Sequence, residues 1–179
     1  MCGYSMQRWS LISITRRHAL PSFLMLGFVA GYALVAVAGS YTARIVDIRD
    51  GDTVTVMIAN ERYLIRLAGI DAPEFGEPLW SASKDNLSRL ALGKNVTIDC
   101  GDRDLDNRIV CKVLLADGED VALEQIQAGM AVYYKPLRDL QAAADRASYA
   151  AAEDNARRAH LGIWAAAPAV PPKGLARKF

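Results

Sequence analysis

Apolar and polar positions alternate from Thr42 to Ile48, the period of a half-buried strand. Asp50-Gly51 is a hairpin signal, and Val54 to Ile58 is the returning strand. Ala59-Asn60-Glu61 turns the chain again into a third apolar run, Tyr63 to Leu67. Gly76-Glu77-Pro78 is loop, and Trp80 to Leu92 reads as a helix with Leu87, Leu90 and Ala91 on one face and Gly93 as its stop. Val96 to Cys100 and Ile109 to Leu115 are a fourth and a fifth strand, separated by the polar loop Gly101 to Arg108. Asp117-Gly118 leads into a short helix, Val121 to Ala128, ended by Gly129. An aromatic segment, Ala131 to Pro136, precedes an alanine-rich helix from about Asp139 to His160 and the closing Leu161-Gly162-Ile163-Trp164. No internal repeat is present. Five short strands with a helix after the third predict an α+β, mainly β fold: a small, partly open five-stranded barrel of the OB type with about three helices packed on it.

The first 40 residues read differently. Arg16-Arg17 precede an uncharged run, 19–38, and Ala36-Val37-Ala38 has the small-x-small form of a signal-peptidase site. That run is also long enough to span a bilayer. Residues 1–40 are therefore expected to be a signal peptide or a membrane anchor, 41–164 the folded domain, and 165–179, with Pro168, Pro171 and Pro172, a disordered tail. Either reading of the leader implies export: a periplasmic or secreted domain after cleavage, or one anchored by residues 19–38.

The composition is globular, 52% hydrophobic and 23% charged. Setting aside Arg8, Arg16 and Arg17 leaves 18 basic and 20 acidic residues from Gly39 onward, so any contact with nucleic acid is local rather than spread over a basic surface. Cys100 and Cys111 border a loop at the ends of two apolar runs. They are either buried core residues or, in an oxidising compartment, a disulfide across adjacent antiparallel strands.

Chemistry concentrates in Arg66-Leu67-Ala68-Gly69-Ile70-Asp71-Ala72-Pro73-Glu74. Pro73 forbids helix there, and the stretch sets one arginine and two carboxylates on irregular backbone. Read blandly, Asp71 caps a turn and Glu74 opens a helix. Read chemically, Asp52 and Asp71 with the Ala72 carbonyl offer oxygen ligands to a hard cation, calcium ahead of magnesium or manganese. Arg66 and Arg108 would then grip one phosphate from two sides, with Glu74 placed to orient or deprotonate a water.

Asp50-Gly51-Asp52-Thr53, Arg66-Leu67-x-Gly69-Ile70-Asp71-Ala72-Pro73-Glu74, an Asp-x-x-x-Arg loop ending at Arg108, Gly129-Met130-Ala131 followed by tyrosines, and a final Gly162-Ile163-Trp164 occur in that order. The set resembles the thermonucleases, the staphylococcal-nuclease-like domains, over about Tyr41 to Trp164. The resemblance implies a calcium-dependent OB-fold nuclease hydrolysing DNA and RNA to 3′-phosphate products, and nothing asks for more than a monomer. It assigns the metal to Asp52, Asp71 and Ala72, the phosphate to Arg66 and Arg108, the attacking water to Glu74, and substrate stacking loosely to Tyr133 or Tyr134, which otherwise read as rim packing. Two departures stand out. Asp106 replaces a phosphate-contacting tyrosine, Asn107 replaces a glycine, and Asp99, Asp102 and Asp104 add negative charge nearby. Repulsion of that kind amounts to a few kcal/mol at most near a surface, about enough to weaken substrate binding. It gives the alternative reading some weight: a non-catalytic envelope module binding nucleic acid or another anionic polymer.

Overall fold

A computed structural model describes residues 39–104 and 108–165. Residues 1–38 of the expected leader, residues 105–107 (Asp106 and Asn107 among them) and the tail beyond Ala165 lie outside the described residues, while Gly39 and Ser40, expected in the leader, open the first strand. Among the described residues no helix is long and apolar enough to cross a membrane.

The chain order is β1 (Gly39–Ile48), β2 (Thr53–Ile58), β3 (Glu61–Leu67), β4 (Ile70–Asp71), α1 (Trp80–Ala91), β5 (Asn95–Arg103), β6 (Ile109–Leu115), α2 (Val121–Gln127), β7 (Val132–Tyr133) and α3 (Ala143–Arg158). Strands β1-β2-β3-β6-β5 form a closed barrel rather than the partly open one expected. Closure depends on two seams the local pattern does not reveal. β1 pairs antiparallel with β5 from Gly39↔Cys100 to Arg44↔Asn95, and β3 pairs parallel with β6 through Ile65↔Ile109, Arg66↔Val110 and Leu67↔Cys111. With both seams made, none of the five strands is left with an open edge.

Alternation does the rest. Ala43, Ile45, Val54, Val56, Ile65, Leu67, Val96, Ile98, Val113 and Leu115 point inward and are buried together, each aliphatic side chain contributing about 1.5–3 kcal/mol by leaving water. The β2–β3 turn carries Ala59 and Asn60 at φ 48° and 70°, the left-handed pair that a two-residue hairpin requires.

The C-terminal half differs from the sequence expectation at one place. The predicted helix from Asp139 is instead a 3₁₀ turn, Lys135–Leu140, with proline in its first turn, then extended residues at Gln141 and Ala142, then α3. Pro136 fixes the backbone of that first turn and supplies no N–H, which favours a short tight turn over a continuous helix. β7 pairs with β4 through Ile70↔Tyr133 and Asp71↔Val132, a two-stranded ribbon too short to be seen in the hydrophobic pattern. The closing residues are tied to the loop after α2: Ile163 N–H donates to Gly129 O at 2.9 Å, and a Cβ on Gly129 would meet Leu161 O at 2.4 Å. Gly129 and Gly162 are thus required by close backbone approach, not by chemistry.

Candidate active site

The β1–β2 turn is built by its own aspartates. Asp50 Oδ1 accepts from the Asp52 N–H at 3.1 Å, an Asx turn, and Thr53 Oγ1 donates to Asp52 Oδ1 at 2.7 Å. Gly51 is there for space: a Cβ would lie 1.9 Å from Ser83 Oγ and 2.7 Å from the Ala72 Cβ. The turn is held from behind by Gln125 on α2, whose Nε2 donates to Gly51 O at 2.8 Å and Ser83 O at 3.2 Å. It is held to the barrel by the Leu67 N–H, which donates to Asp52 O at 2.8 Å.

This framing sets Asp52 against the segment that follows β3. Its Oδ2 accepts from the Ala72 N–H at 3.1 Å. Arg66, near the end of β3 and only 8% exposed, reaches between the two aspartates. One nitrogen, Nη2, lies 3.2 Å from Asp52 Oδ2 and 2.7 Å from Asp71 Oδ1, and also donates to Ile70 O at 3.1 Å. Burial disfavours the charged guanidinium, but Asp52 and Asp71, with Asp104 beyond them, outweigh it and raise the Arg66 pKa above its ordinary value. The Tyr134 ring centroid lies 5.8 Å from the Arg66 guanidinium carbon.

Arg108 stands at the mouth of β6, on the strand parallel to that of Arg66. Asp104, at the other side of the loop, accepts from its backbone N–H at 2.9 Å and from Nε at 2.8 Å. Cys100 and Cys111 are cross-strand partners directly below, with sulfurs 2.11 Å apart, at disulfide distance. Glu74 is exposed on the loop after Pro73, its backbone N–H donating to Glu77 Oε2 at 3.0 Å.

Asp52, Arg66 and Asp71 therefore come together in direct contact, Ala72 adjoins them through its N–H, and Tyr134 flanks Arg66. Arg108, just before the strand that pairs in parallel with that of Arg66, is tied to Asp104, and Glu74 stands exposed three residues beyond Asp71. Tyr133 points elsewhere. It is buried edge-on against Tyr149, with ring centroids 5.8 Å apart, and Tyr134 is buried to the same degree, so neither tyrosine presents the open face that substrate stacking requires.

The donor chemistry fits a hard divalent cation. Two carboxylates from separate segments lie on either side of one guanidinium nitrogen, and both are oxygen ligands. Among the described residues no group of three or more His, Cys, Asp or Glu side chains surrounds a single point. Backbone carbonyl and water would complete the shell, as such ions tolerate.

Asp50 is pushed up to about 6 from 3.8, first by burial and then by the negative charge of Asp52, which marks the turn as crowded with like charge. Sequence reading set Arg108 at the end of an Asp-x-x-x-Arg loop, answering nearby aspartates, but did not single out Asp104 among them as its anchor. It also missed Gln125 and Ser83 as the backing of the turn; the available signal was a polar residue on the buried face of a helix.

The sequence profile of the family described as staphylococcal nuclease homologue matches residues 64–166. A protein named uncharacterized endonuclease from Escherichia coli is 35% identical over 129 residues, spanning 72% of this chain and 80% of its own. A protein of the same name from Haemophilus influenzae is 34% identical over 125 residues, 69% of this chain and 66% of its own. The probable endonuclease LCL3 of Verticillium alfalfae is 34% identical over 116 residues, 60% of this chain and 40% of its own.

Proposed function

The chain belongs to the staphylococcal nuclease homologues and is a nuclease-type hydrolase, and from that premise we propose that it is an exported, calcium-dependent enzyme cleaving phosphodiesters of DNA and RNA to leave 3′-phosphates. The observation that carries this reading is the contact set in which Asp52 and Asp71 share the Nη2 of Arg66. Asp52, Asp71 and the Ala72 carbonyl would hold the calcium, which when bound supplies Lewis-acid stabilisation to a phosphate oxygen.

The chain's own groups supply the rest. Arg66 and Arg108, on adjacent parallel strands, carry fixed positive charge to where the equatorial oxygens of the transition state become more negative. Arg108 is held in orientation by its two hydrogen bonds to Asp104, and Arg66 by the two aspartates and the Ile70 carbonyl. Glu74, exposed beyond Pro73, takes the proton of a water that attacks phosphorus, and the P–O5′ bond breaks with the 5′ oxygen leaving as a hydroxyl that takes a proton from solvent. Tyr134, just past β7, lies beside Arg66.

Export is supported by the leader pattern of residues 1–40 and by the paired cysteines, which persist as a disulfide in an oxidising compartment. The test is incubation of the purified protein with single-stranded DNA and with RNA, in calcium and in chelator, followed by analysis of the product ends. Cleavage that requires calcium, leaves 3′-phosphates and falls about 10²–10⁴-fold in Glu74→Gln is the expected result. Strand binding without calcium-dependent turnover would replace this reading with that of a binding module.

A further inference from the structure

Immediately after Glu74 the chain exposes side chains that a folded domain ordinarily covers. Phe75 is 83% exposed and Leu79 40% exposed. The Phe75 ring stands edge-on to that of Trp80, with centroids 4.9 Å apart and planes at 85°. The Lys84 ammonium lies 5.6 Å from the Trp80 ring centroid, one helical turn on. Single exposed apolar residues need no explanation, but here Phe75 and Leu79 lie exposed on one short loop that ends at the half-buried Trp80, beside the residue that handles water. Leu79 is moreover held at φ 65°, a left-handed conformation that costs a non-glycine residue about 1–2 kcal/mol. Strain of this kind persists where surrounding structure enforces it, and it clusters at functional sites.

The group is tied to the carboxylates through stiff structure. The Glu77 N–H donates to Glu74 O at 2.9 Å and the Trp80 N–H to Glu77 O at 3.2 Å, so the loop is two successive turns leading straight into α1. Ser83, in the first turn of α1, packs against Gly51 and Ala72 and donates through Oγ to Met130 O at 2.7 Å. The aromatic pair and the aspartate turn are therefore mounted on the same helix end.

We propose that Phe75 and Trp80 form a stacking site for an unpaired nucleobase of the substrate strand, with Lys84 drawing in its phosphate. The inference rests on the nuclease reading and names the form of substrate: a single strand, because bases within a duplex are stacked on one another and present no free face. The charges on the loop point the same way. Glu74 and Glu77 repel phosphate, so what Phe75 can hold is the uncharged ring of a base, while the cation beside Trp80 suits the adjoining backbone. Every base has a π-face, so the site is tolerant of sequence.

The test uses the full chain and a labelled, cleavage-resistant phosphorothioate oligo(dT) in calcium, compared by anisotropy with the same backbone made abasic. Stacking of one base on an aromatic side chain corresponds to about a 5- to 150-fold change in affinity. Oligo(dT) is expected to bind about tenfold or more tightly than the abasic strand. Phe75→Ala and Phe75→Leu should each remove most of that ratio, and Phe75→Tyr should keep it. Trp80→Ala should act in the same direction, and a melting curve on each variant confirms that it is folded. Equal binding of the two strands, no binding of either, or a ratio unchanged in Phe75→Ala overturns the proposal. So does a self-associated form in sedimentation that Phe75→Ala dissociates while the ratio stands, because the patch would then belong to a second copy. Cleavage of unmodified strands is scored separately. Base-dependent binding without cleavage removes the nuclease reading and leaves the stacking site, whereas cleavage with base-independent binding does the reverse.

Discussion

Arg66 donates through Nη2 to Asp71 Oδ1 at 2.7 Å, and the same nitrogen is 3.2 Å from Asp52 Oδ2. In the absence of a metal ion the guanidinium is thus the cation that makes two buried carboxylates tolerable. Removing it leaves like charges facing one another in a site with little water. Arg66→Ala is expected to lose about 3–5 kcal/mol of stability in chelator, the cost typical of breaking a buried pair from one side. Calcium should restore part of that loss, so its effect on the melting temperature should be larger in the variant than in the parent protein. An equal calcium shift in both would separate the metal site from Arg66.

Asp50 supplies a pH dependence with a definite sign. Burial, then Asp52, raise its pKa in the folded state to about 6 from 3.8. A carboxyl with a raised folded pKa favours folding while protonated. Its contribution is complete below about pH 4 and is lost as pH rises through about 6. Urea midpoints measured in chelator should therefore carry a component that falls over that window, and Asp50→Asn should abolish it. Calcium in the neighbouring turn favours the ionised form and should move the fall to lower pH. A midpoint that rises across the window equally in both proteins would contradict this assignment.

Asp104 holds Arg108 by both its backbone N–H and its Nε, at 2.9 and 2.8 Å. It also raises the Arg66 pKa, and so lies close enough to influence both arginines. Asp104→Ala should lower kcat/KM for single-stranded DNA about 10²-fold through misplacement of Arg108. Asp104→Asn, which keeps the acceptor for the backbone N–H, should lose less. Parent-like activity in both variants would show that the loop needs no carboxylate to orient the arginine.

Much of this arrangement could be read before any coordinates, and the reason is local. Strand β1 advertises itself by alternation, β2, β3 and β6 as short apolar runs, and Asp50-Gly51 by turn chemistry. Glu74 sits on backbone that Pro73 keeps irregular, whereas Asp71, expected on the same irregular stretch, lies in β4. What could not be read is set by contacts distant in sequence. The parallel β3–β6 seam joins segments more than forty residues apart and closes the barrel. Gln125 behind Gly51 and the β4–β7 ribbon are likewise products of the tertiary fold. Tyr133 and Tyr134 show the limit clearly: neighbours of the same residue type, one ending β7 and packed on Tyr149, the other opening the 3₁₀ turn beside Arg66.

Glu153 is what keeps that pair of tyrosines in register. It is a buried carboxylate on α3, accepting from the Tyr133 N–H at 3.1 Å and lying 3.2 Å from Lys135 Nζ and 3.5 Å from Arg157 Nη2. The two cations are more than half exposed, so their attraction is screened and contributes about 1 kcal/mol at most. The backbone hydrogen bond matters more, because an orphaned buried N–H costs about 1–3 kcal/mol. Glu153→Gln keeps an acceptor of the same reach and should cost about 1 kcal/mol or less. Glu153→Ala removes the acceptor, opens a gap beneath β7, and should cost about 2–4 kcal/mol. Urea denaturation of the two variants measures the difference. Equal losses would mean that charge, not the hydrogen bond to Tyr133, holds α3 against the ribbon; a larger loss in Ala, accompanied by weaker strand binding, would tie that clamp to the position of Tyr134 beside Arg66.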